Sequence, residues 1–147
     1  MSKQTALSRY NEKVTCEKEF AFEWCRTKPY LTLGNDQAKV ILQFEKNKLI
    51  GISLSAVTAI SSCPKTDYKS LNENKERTDC IKDIERRDKE SLSLIRQALI
   101  SKYGQNYEND KTGTLTWRYK GILIRRVYFD TGLFYVHYEA DKTYGSL

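Results

Sequence analysis

The sequence predicts an α+β fold, in which one long amphipathic helix packs on one face of an antiparallel β-sheet. Three patterns support this class: a β-hairpin pattern over 38–60, a helical apolar stripe over 80–103, and three alternating β runs over 114–140. Two antiparallel units separated by one helix favour this arrangement, because the apolar stripe of the helix needs a sheet face to bury it. At 147 residues the chain is long enough for one domain with a core, and we interpret 1–147 as a single domain.

The N-terminal part of the chain carries weaker signals. Residues 1–13 are polar, and we expect them to be loosely ordered. The segment 14–26 is ambiguous, because two periodicities fit it. Cys16, Phe20 and Trp24 have the spacing of a helix face, whereas Phe20, Phe22 and Trp24 alternate as in a strand. We interpret this segment as a short helix that ends before Pro29.

A β-hairpin is predicted next along the chain. Ala38–Phe44 and Leu49–Ile60 are β runs, and the polar residues 45–48 between them form the turn. Apolar residues alternate with small polar ones in the second run, so one face of the hairpin is apolar. Residues 64–79 that follow are interpreted as a polar loop.

The long helix is predicted from apolar positions spaced by three or four residues. These positions are Ile81, Ile84, Leu92, Ile95 and Leu99, with Asp88 as a polar interruption. Thr78 or Asp79 is placed to cap the start near Cys80, and Gly104 follows the last residue, Tyr103. Residues 65–90 carry eight basic and eight acidic side chains, which we interpret as the solvated surface of this helix and the loop before it.

The last third of the chain predicts a three-stranded meander. Its β runs cover 114–119, 122–129 and 133–140, with turns at 119–121 and 130–132. The residues expected in the core of the domain are Leu92, Ile95, Leu99, Ile52, Leu54, Trp117 and Ile124. Ile124 has the same strand parity as Arg126 and Tyr128, so these three residues share a face of the sheet.

Four cysteines indicate the compartment. They form no CxxC motif and have no zinc-ligand spacing, so we expect neither a metal nor a cofactor. Cys63 and Cys80 bracket the most hydrophilic part of the chain, which favours a Cys63–Cys80 disulfide and, with it, Cys16–Cys25. The alternative is four reduced thiols in the cytoplasm.

Two disulfides would place the protein in the periplasm or make it secreted. Residues 1–13 contain no apolar segment of an export signal, so this interpretation requires that Met1 replaces a removed signal. If Met1 is the native start, the cytoplasm is the alternative. No apolar stretch has the length of about 20 residues that a membrane span needs.

The segment 38–140 resembles small exported bacterial proteins. The resemblance depends on Ser101-Lys102-Tyr103-Gly104 at the end of an amphipathic helix, on Trp117-Arg118, and on a hairpin that ends in Val136-His137-Tyr138. Such proteins include periplasmic lipoprotein-like domains and immunity proteins that neutralise antibacterial effectors. The resemblance implies a non-enzymatic inhibitor or immunity function and assigns no functional residue.

Catalytic chemistry has one candidate in the sequence. His137 is the single histidine, and with Glu139 and Arg125 or Arg126 it could form a small nuclease site. No nucleophile motif or phosphate-binding glycine loop accompanies it. We therefore expect a protein that is not an enzyme, and interpret His137 as structural or surface-exposed.

The basic and aromatic residues of the meander indicate a binding surface. With 25 Lys and Arg against 19 Asp and Glu, the net charge is +6, which favours an acidic partner protein. We predict that the exposed face of the meander binds it, through Arg118, Lys120, Arg126 and Tyr128, because Arg and Tyr are enriched at binding hot spots. The alternatives are a nucleic-acid-binding module of the cytosol, whose bases would stack on the same aromatic rings, and the charged loop 65–80 as the binding element.

Overall fold

The computed structural model describes residues 1–10, 13–56, 63, 71–128 and 134–143, and for 71–74 and 128 it describes the backbone alone. Within these residues, nine antiparallel strands form one sheet, and one long helix accompanies it, which confirms the predicted α+β class. The helices are α1 (Lys3–Leu7) and α2 (Leu71–Tyr103). The strands are β1 (Thr15–Glu19), β2 (Phe22–Arg26), β3 (Leu31–Leu33), β4 (Asp36–Glu45), β5 (Lys48–Ala56), β6 (Tyr107–Asn109), β7 (Leu115–Tyr119), β8 (Ile122–Tyr128) and β9 (Phe134–Ala140).

The sheet joins the predicted hairpin to the predicted meander. Its strand order is β1-β2-β4-β5-β9-β8-β7-β6, with β3 paired to β4. The hairpin β4–β5 and the meander β7–β8–β9 are both confirmed, and β5 pairs with β9 at the centre, where Ser53 lies opposite His137. The predicted turn at 130–132 and the polar segment 64–70 lie outside the described residues.

The helix α2 is longer than its apolar stripe predicts. It begins at Leu71, so the interpretation of 71–79 as loop is wrong, and neither Thr78 nor Asp79 caps it. Residues 71–79 contain no Gly or Pro and are rich in Glu, Lys and Arg, which favour helix in the absence of an apolar stripe. The predicted end is confirmed: Gly104, at φ +91°, follows the helix and donates a hydrogen bond from its N–H to the Ile100 carbonyl (2.8 Å). Neither α1 nor α2 combines the length and apolar character of a membrane span.

The segment 14–26 is a β-hairpin and not the predicted short helix. β1 and β2 pair in register, and Cys16 lies directly opposite Cys25. β2 also pairs with β4, so the strand alternation of this segment prevails because tertiary pairing on the sheet edge satisfies its backbone groups. Both predicted disulfides are present, with Cα–Cα distances of 4.1 Å for Cys16–Cys25 and 5.8 Å for Cys63–Cys80.

The N-terminus is more ordered than its polar sequence predicts. The side chain of Ser2 caps α1, and the Lys3 N–H donates a hydrogen bond to the Asn47 carbonyl in the β4–β5 turn (2.9 Å). Ala6 is 2% exposed, because it packs on Leu42 and Phe44 of β4 and their neighbours. The described part of 1–13 therefore belongs to the folded domain.

The core lies on one face of the sheet, beneath α1 and α2. Of the predicted core residues, four are buried, namely Ile95, Leu99, Trp117 and Ile124, and three are half-buried at the cluster margins, namely Leu92, Ile52 and Leu54. Trp117 donates a hydrogen bond from its indole N–H to the Gly104 carbonyl (2.8 Å), which links β7 to the end of α2. We call this side of the sheet the covered face and the opposite side the open face.

Candidate binding groove on the open face of the sheet

A row of side chains crosses the middle of the open face. Successive cross-strand partners on β2, β4, β5, β9 and β8 are Arg26, Ile41, Ser53, His137 and Arg125. Directly paired residues project to the same side of a sheet, so these five side chains lie side by side. Their neighbours along each strand contribute to the core instead. The N-terminal hairpin and the C-terminal meander therefore build one continuous surface.

This surface contains a groove of about 580 Å³, which we call the open-face groove. Its lining residues are Glu19, Trp24, Arg26, Ile41, Gln43, Ser53, Ser55, Arg125, Val127, Tyr135 and His137. The volume lies in the range of ligand pockets, which combine apolar walls with a few convergent polar groups. Four apolar or aromatic side chains here are half-buried and keep part of their surface in contact with solvent, namely Trp24, Ile41, Val127 and Tyr135.

The floor of the groove is a polar network centred on His137. The Ser53 hydroxyl lies 2.7 Å from His137 Nδ1, and Glu139 Oε2 lies 3.6 Å from His137 Nε2. Glu139 is also ion-paired with Arg125 through its second carboxylate oxygen. Each group of the network therefore has a partner on a neighbouring strand or two residues along its own strand.

The imidazole of His137 fits because position 51 is a glycine. A β-carbon at Gly51 would lie 2.8 Å from His137 Cε1, so the ring lies against the backbone of β5. Burial lowers the pKa of His137, and the charge of Arg125 lowers it further, against the opposite effect of Glu139. Since the ordinary value is about 6.5, the ring is neutral at pH 7. The floor of the groove thus carries no net positive charge from the histidine.

The network brings together most of the hypothetical nuclease set. His137, Glu139 and Arg125 are in contact, whereas Arg126 projects to the covered face. Hydroxyl, imidazole and carboxylate in sequence are residue types that hydrolases use for nucleophilic attack. Here the carboxylate is ion-paired with Arg125, and its Oε2 lies 3.6 Å from His137 Nε2, which is longer than a hydrogen bond.

The four residues predicted to bind do not form one surface. Arg118 lies on the open face, at the margin of the sheet, where it pairs with Asp141 (3.0 Å) and Glu108 (3.6 Å). Lys120 lies in the β7–β8 turn at φ +47°, with its ammonium nitrogen 5.2 Å from the Tyr119 ring centroid.

Arg126 lies on the covered face, which corrects its predicted place on an exposed face. It pairs across the sheet with Leu115 and Val136, both buried, and its Nη1 donates a hydrogen bond to the Leu92 carbonyl of α2 (3.1 Å). Tyr128 has the same register parity as Arg126. The sequence alone predicts this result. Ile124 and Arg126 lie on the same face of β8, so Arg126 must lie on the covered face if Ile124 is buried.

The groove residues of the N-terminal half were missed by sequence reasoning. The sequence predicts a helix at Trp24, and it predicts Ile41 and Ser53 as hairpin residues with no further role. Their proximity to His137 depends on the pairing of β5 with β9, for which the sequence contains no local signal. The strand alternation of Phe20, Phe22 and Trp24 could have indicated the face on which Trp24 lies.

One group of potential metal ligands occurs among the described residues, formed by Cys16, Glu23 and Cys25. The two sulfur atoms are bonded to each other in a disulfide, so neither is the thiolate that a metal ion would bind. This group is therefore not a metal centre in the oxidised protein.

No protein-family model, curated protein or solved structure matches the chain. Its function must therefore be inferred from its own residues, and the open-face groove is the site that the geometry favours.

Proposed function

We propose that this chain is a non-enzymatic binding protein of the bacterial cell envelope, of the inhibitor or immunity type, which binds an acidic segment of another protein in the open-face groove. The observation that carries the proposal is the groove itself, where half-buried aromatic and aliphatic side chains surround a polar floor on a sheet face that neither described helix covers.

The residue types of the groove suit a protein partner. Trp, Tyr and Arg are enriched among the residues that contribute most to binding energy, and Trp24, Tyr135 and Arg125 all line the groove. Their backbones belong to paired strands in the interior of the sheet, so a partner would order few main-chain groups on binding. A rigid surface loses little conformational entropy on docking, and this favours affinity.

The charge of the chain supports an acidic partner. The net charge is +6, which accelerates encounter with a negatively charged surface. In the groove, Arg26 and Arg125 have side chains that are 42% and 39% exposed and are paired with Glu17 and Glu139. Exposed ion pairs contribute about 0–1 kcal/mol each, so carboxylates of a partner can replace these internal ones at small cost.

The envelope location is supported by the cysteines. Both disulfides lie within the described residues, and such bonds persist in oxidising compartments such as the bacterial periplasm. The resemblance of 38–140 to small exported bacterial proteins points to the same location. Arg118 and Lys120 remain predicted binding residues, of which Arg118 lies on the same face of the sheet as the groove.

The proposal is tested by identifying a partner and measuring its affinity. The oxidised protein, immobilised, captures proteins from an envelope extract, and the captured protein is then purified for titration. We expect Trp24→Ala and Tyr135→Ala each to raise the dissociation constant by about 30-fold, which corresponds to about 2 kcal/mol. Tyr30→Ala is the matched control, since Tyr30 is exposed and does not line the groove. Unchanged affinity in both groove variants would contradict the proposal.

A nucleic-acid function is distinguished by its salt dependence. The aromatic rings and arginines of the groove would also suit stacked single-stranded bases. In that case, affinity for single-stranded RNA would fall steeply between about 50 and 200 mM salt, because phosphate contacts release counterions. Such binding, lost in Trp24→Ala, would replace the protein-binding proposal.

A further inference from the structure

A second cavity lies between α2 and the meander, on the covered face. It has a volume of about 360 Å³, and we call it the cationic cavity. Its lining residues are Lys89, Leu92, Ser93, Arg96, Tyr107, Asn109, Gly113, Leu115 and Arg126. Three of the nine are cations and none is a carboxylate. The cavity is separate from the open-face groove, because it lies on the opposite side of the sheet.

Arg126 has an incompletely satisfied guanidinium in this cavity. Its Nη1 donates to the Leu92 carbonyl, but its Nε is buried and has no acceptor among the described residues. A buried donor of a charged group without an acceptor is costly, and a charged group is normally buried together with a counter-charge. Burial and the nearby charge of Arg96 lower the pKa of Arg126, against a smaller opposite effect of Tyr107.

The other cations of the cavity also lack carboxylate partners. Within the part of the chain that the structure describes, no ion pair involves Lys89, Arg96 or Arg126. Arg96 instead donates to the Tyr107 hydroxyl from Nε (3.1 Å) and Nη2, which holds its guanidinium at the wall of the cavity. Asp110, in the adjacent turn, accepts hydrogen bonds from the backbone N–H groups of Thr112 and Thr114.

From this arrangement we infer that the cationic cavity is a binding site for a phosphate group, held between Arg96 and Arg126. Guanidinium groups present N–H donors in a planar fork that matches the oxygens of phosphate, and two of them beside a lysine favour a dianion over a monoanion. Ser93, Tyr107 and Asn109 add neutral polar groups to the wall. The volume exceeds that of a single water molecule many times, so a phosphate monoester of a small molecule fits as well as inorganic phosphate.

The fluorescence of a buried tryptophan close to the cavity can be used to measure ligand binding. Trp117 lies beneath the cavity wall, with its ring centroid 4.8 Å from that of Tyr107, whose hydroxyl binds Arg96. Since Trp117 is 1% exposed, its fluorescence responds to changes in the packing and electric field of its surroundings and not to solvent access. The second tryptophan, Trp24, lies in the open-face groove, so Trp24→Phe isolates the signal of Trp117.

The experiment titrates the oxidised 147-residue chain carrying Trp24→Phe with inorganic phosphate, with glycerol phosphate and with acetate, at constant ionic strength set with chloride. We expect saturable quenching or enhancement by the two phosphate probes, half-maximal at millimolar concentration or below, and at least tenfold weaker binding of acetate. A tighter binding of glycerol phosphate identifies a monoester as the ligand, and equal or tighter binding of inorganic phosphate identifies the free anion. We also expect phosphate to raise the melting temperature.

Substitutions then test the two guanidinium groups. Arg96→Met and Arg126→Met should each weaken phosphate binding at least tenfold, whereas Arg86→Met, exposed on α2 and outside the cavity lining, should leave it unchanged. Arg96 is exposed, so its variant is expected to keep the fold even if Arg126→Met does not. The inference is overturned if phosphate acts no differently from chloride at equal ionic strength, or if Arg96→Met binds phosphate as tightly as the parent chain. Neither result would affect partner binding in the open-face groove.

Discussion

Gly34 and Ser91 lie in direct contact, where the chain between β3 and β4 passes beneath α2. A β-carbon on Gly34 would lie 2.7 Å from the Ser91 β-carbon, and Gly34 has a φ of +62°. Ser91 is fully buried there, accepts a hydrogen bond from the Asn35 N–H (2.9 Å) and donates one to Asp36 Oδ2 (2.6 Å). This contact joins α2 to the turn that precedes β4.

The first prediction follows from this contact. Gly34→Ala should lower the free energy of unfolding by about 2–4 kcal/mol, because it combines overpacking with a positive φ that a β-carbon disfavours. Chemical denaturation with circular dichroism measures the change. Gly113→Ala is the matched control, since Gly113 has a φ of +80° and nothing within 4 Å of its β-carbon position. Equal losses in the two variants would mean that contact with Ser91 is unimportant.

The second prediction concerns the register of α2 on the sheet. Ile95 is 5% exposed and packs in the main core, whereas its neighbour Leu94 is 46% exposed. Ile95→Ala should therefore cost about 2–5 kcal/mol of stability, and Leu94→Ala about 0.5 kcal/mol or less. Thermal and urea denaturation of the two variants provide the comparison. A larger loss for Leu94→Ala would show that the helix presents a different face to the sheet.

The third prediction concerns pH. Burial, reinforced by the charge of Asp36 and opposed by Arg87, raises the pKa of Asp88 to about 6. The folded state therefore holds this proton more tightly than the unfolded state, so the contribution of Asp88 to stability falls as the pH rises from about 4 to about 6.

Asp88→Asn removes a buried carboxyl group that carries a negative charge at pH values above its pKa of about 6. At about 1.4 kcal/mol per pKa unit, the variant should be more stable than the parent chain by about 1–3 kcal/mol at about pH 7.5, and the gain should shrink towards about pH 4.5. Urea denaturation at the two pH values measures it. Asp83→Asn is the matched control, since Asp83 is exposed on α2 and is not among the charges that shift the pKa of Asp88. A gain that is independent of pH would contradict the raised pKa.

The fourth prediction concerns the disulfides. Intact mass after alkylation under native conditions should show no reactive thiol without reductant and four with it, since all four cysteines are bonded. Replacing Cys63 and Cys80 together with serine should lower the free energy of unfolding by about 3 kcal/mol, because the unfolded chain regains the freedom of the closed loop. Four thiols alkylated without reductant would instead favour the cytoplasmic alternative.

The parts of the fold that depend on local pattern could be predicted from the sequence. The alternation of β4, β5 and β7–β9 and the apolar stripe of α2 indicate their own elements and the face that each one buries. The first turns of α2 and the β1–β2 hairpin could not be predicted in this way. In the first case the helix lacks an apolar stripe, and in the second the pairing of β2 with β4 decides between two fitting periodicities.

The candidate sites are harder to predict from the sequence, because they depend on contacts between distant segments. His137 and Glu139, with Arg125 or Arg126, form a candidate set within one short region, yet Ser53 joins His137 from 84 residues away. Arg126 was recognised as important, but its burial beneath α2 follows from the parity of Ile124 and not from its own chemistry. Residue type thus indicated what could react or bind, and long-range strand pairing determined where.

The central pairing of β5 with β9 also determines the order in which the chain can fold. The hairpin β4–β5 and the meander β7–β8–β9 close short connections, whereas the β5–β9 ladder joins segments that the whole of α2 separates. Closing such a long loop costs more entropy than closing a short one. The β5–β9 contacts that compensate this cost therefore form after the local units. In pulsed hydrogen exchange during refolding, we therefore expect the amides of β4 and β8 to gain protection before those that link β5 to β9. Before the β5–β9 ladder forms, the chain contains two separate half-sheets. Each of them carries part of the row of side chains from Arg26 to Arg125 that crosses the open face.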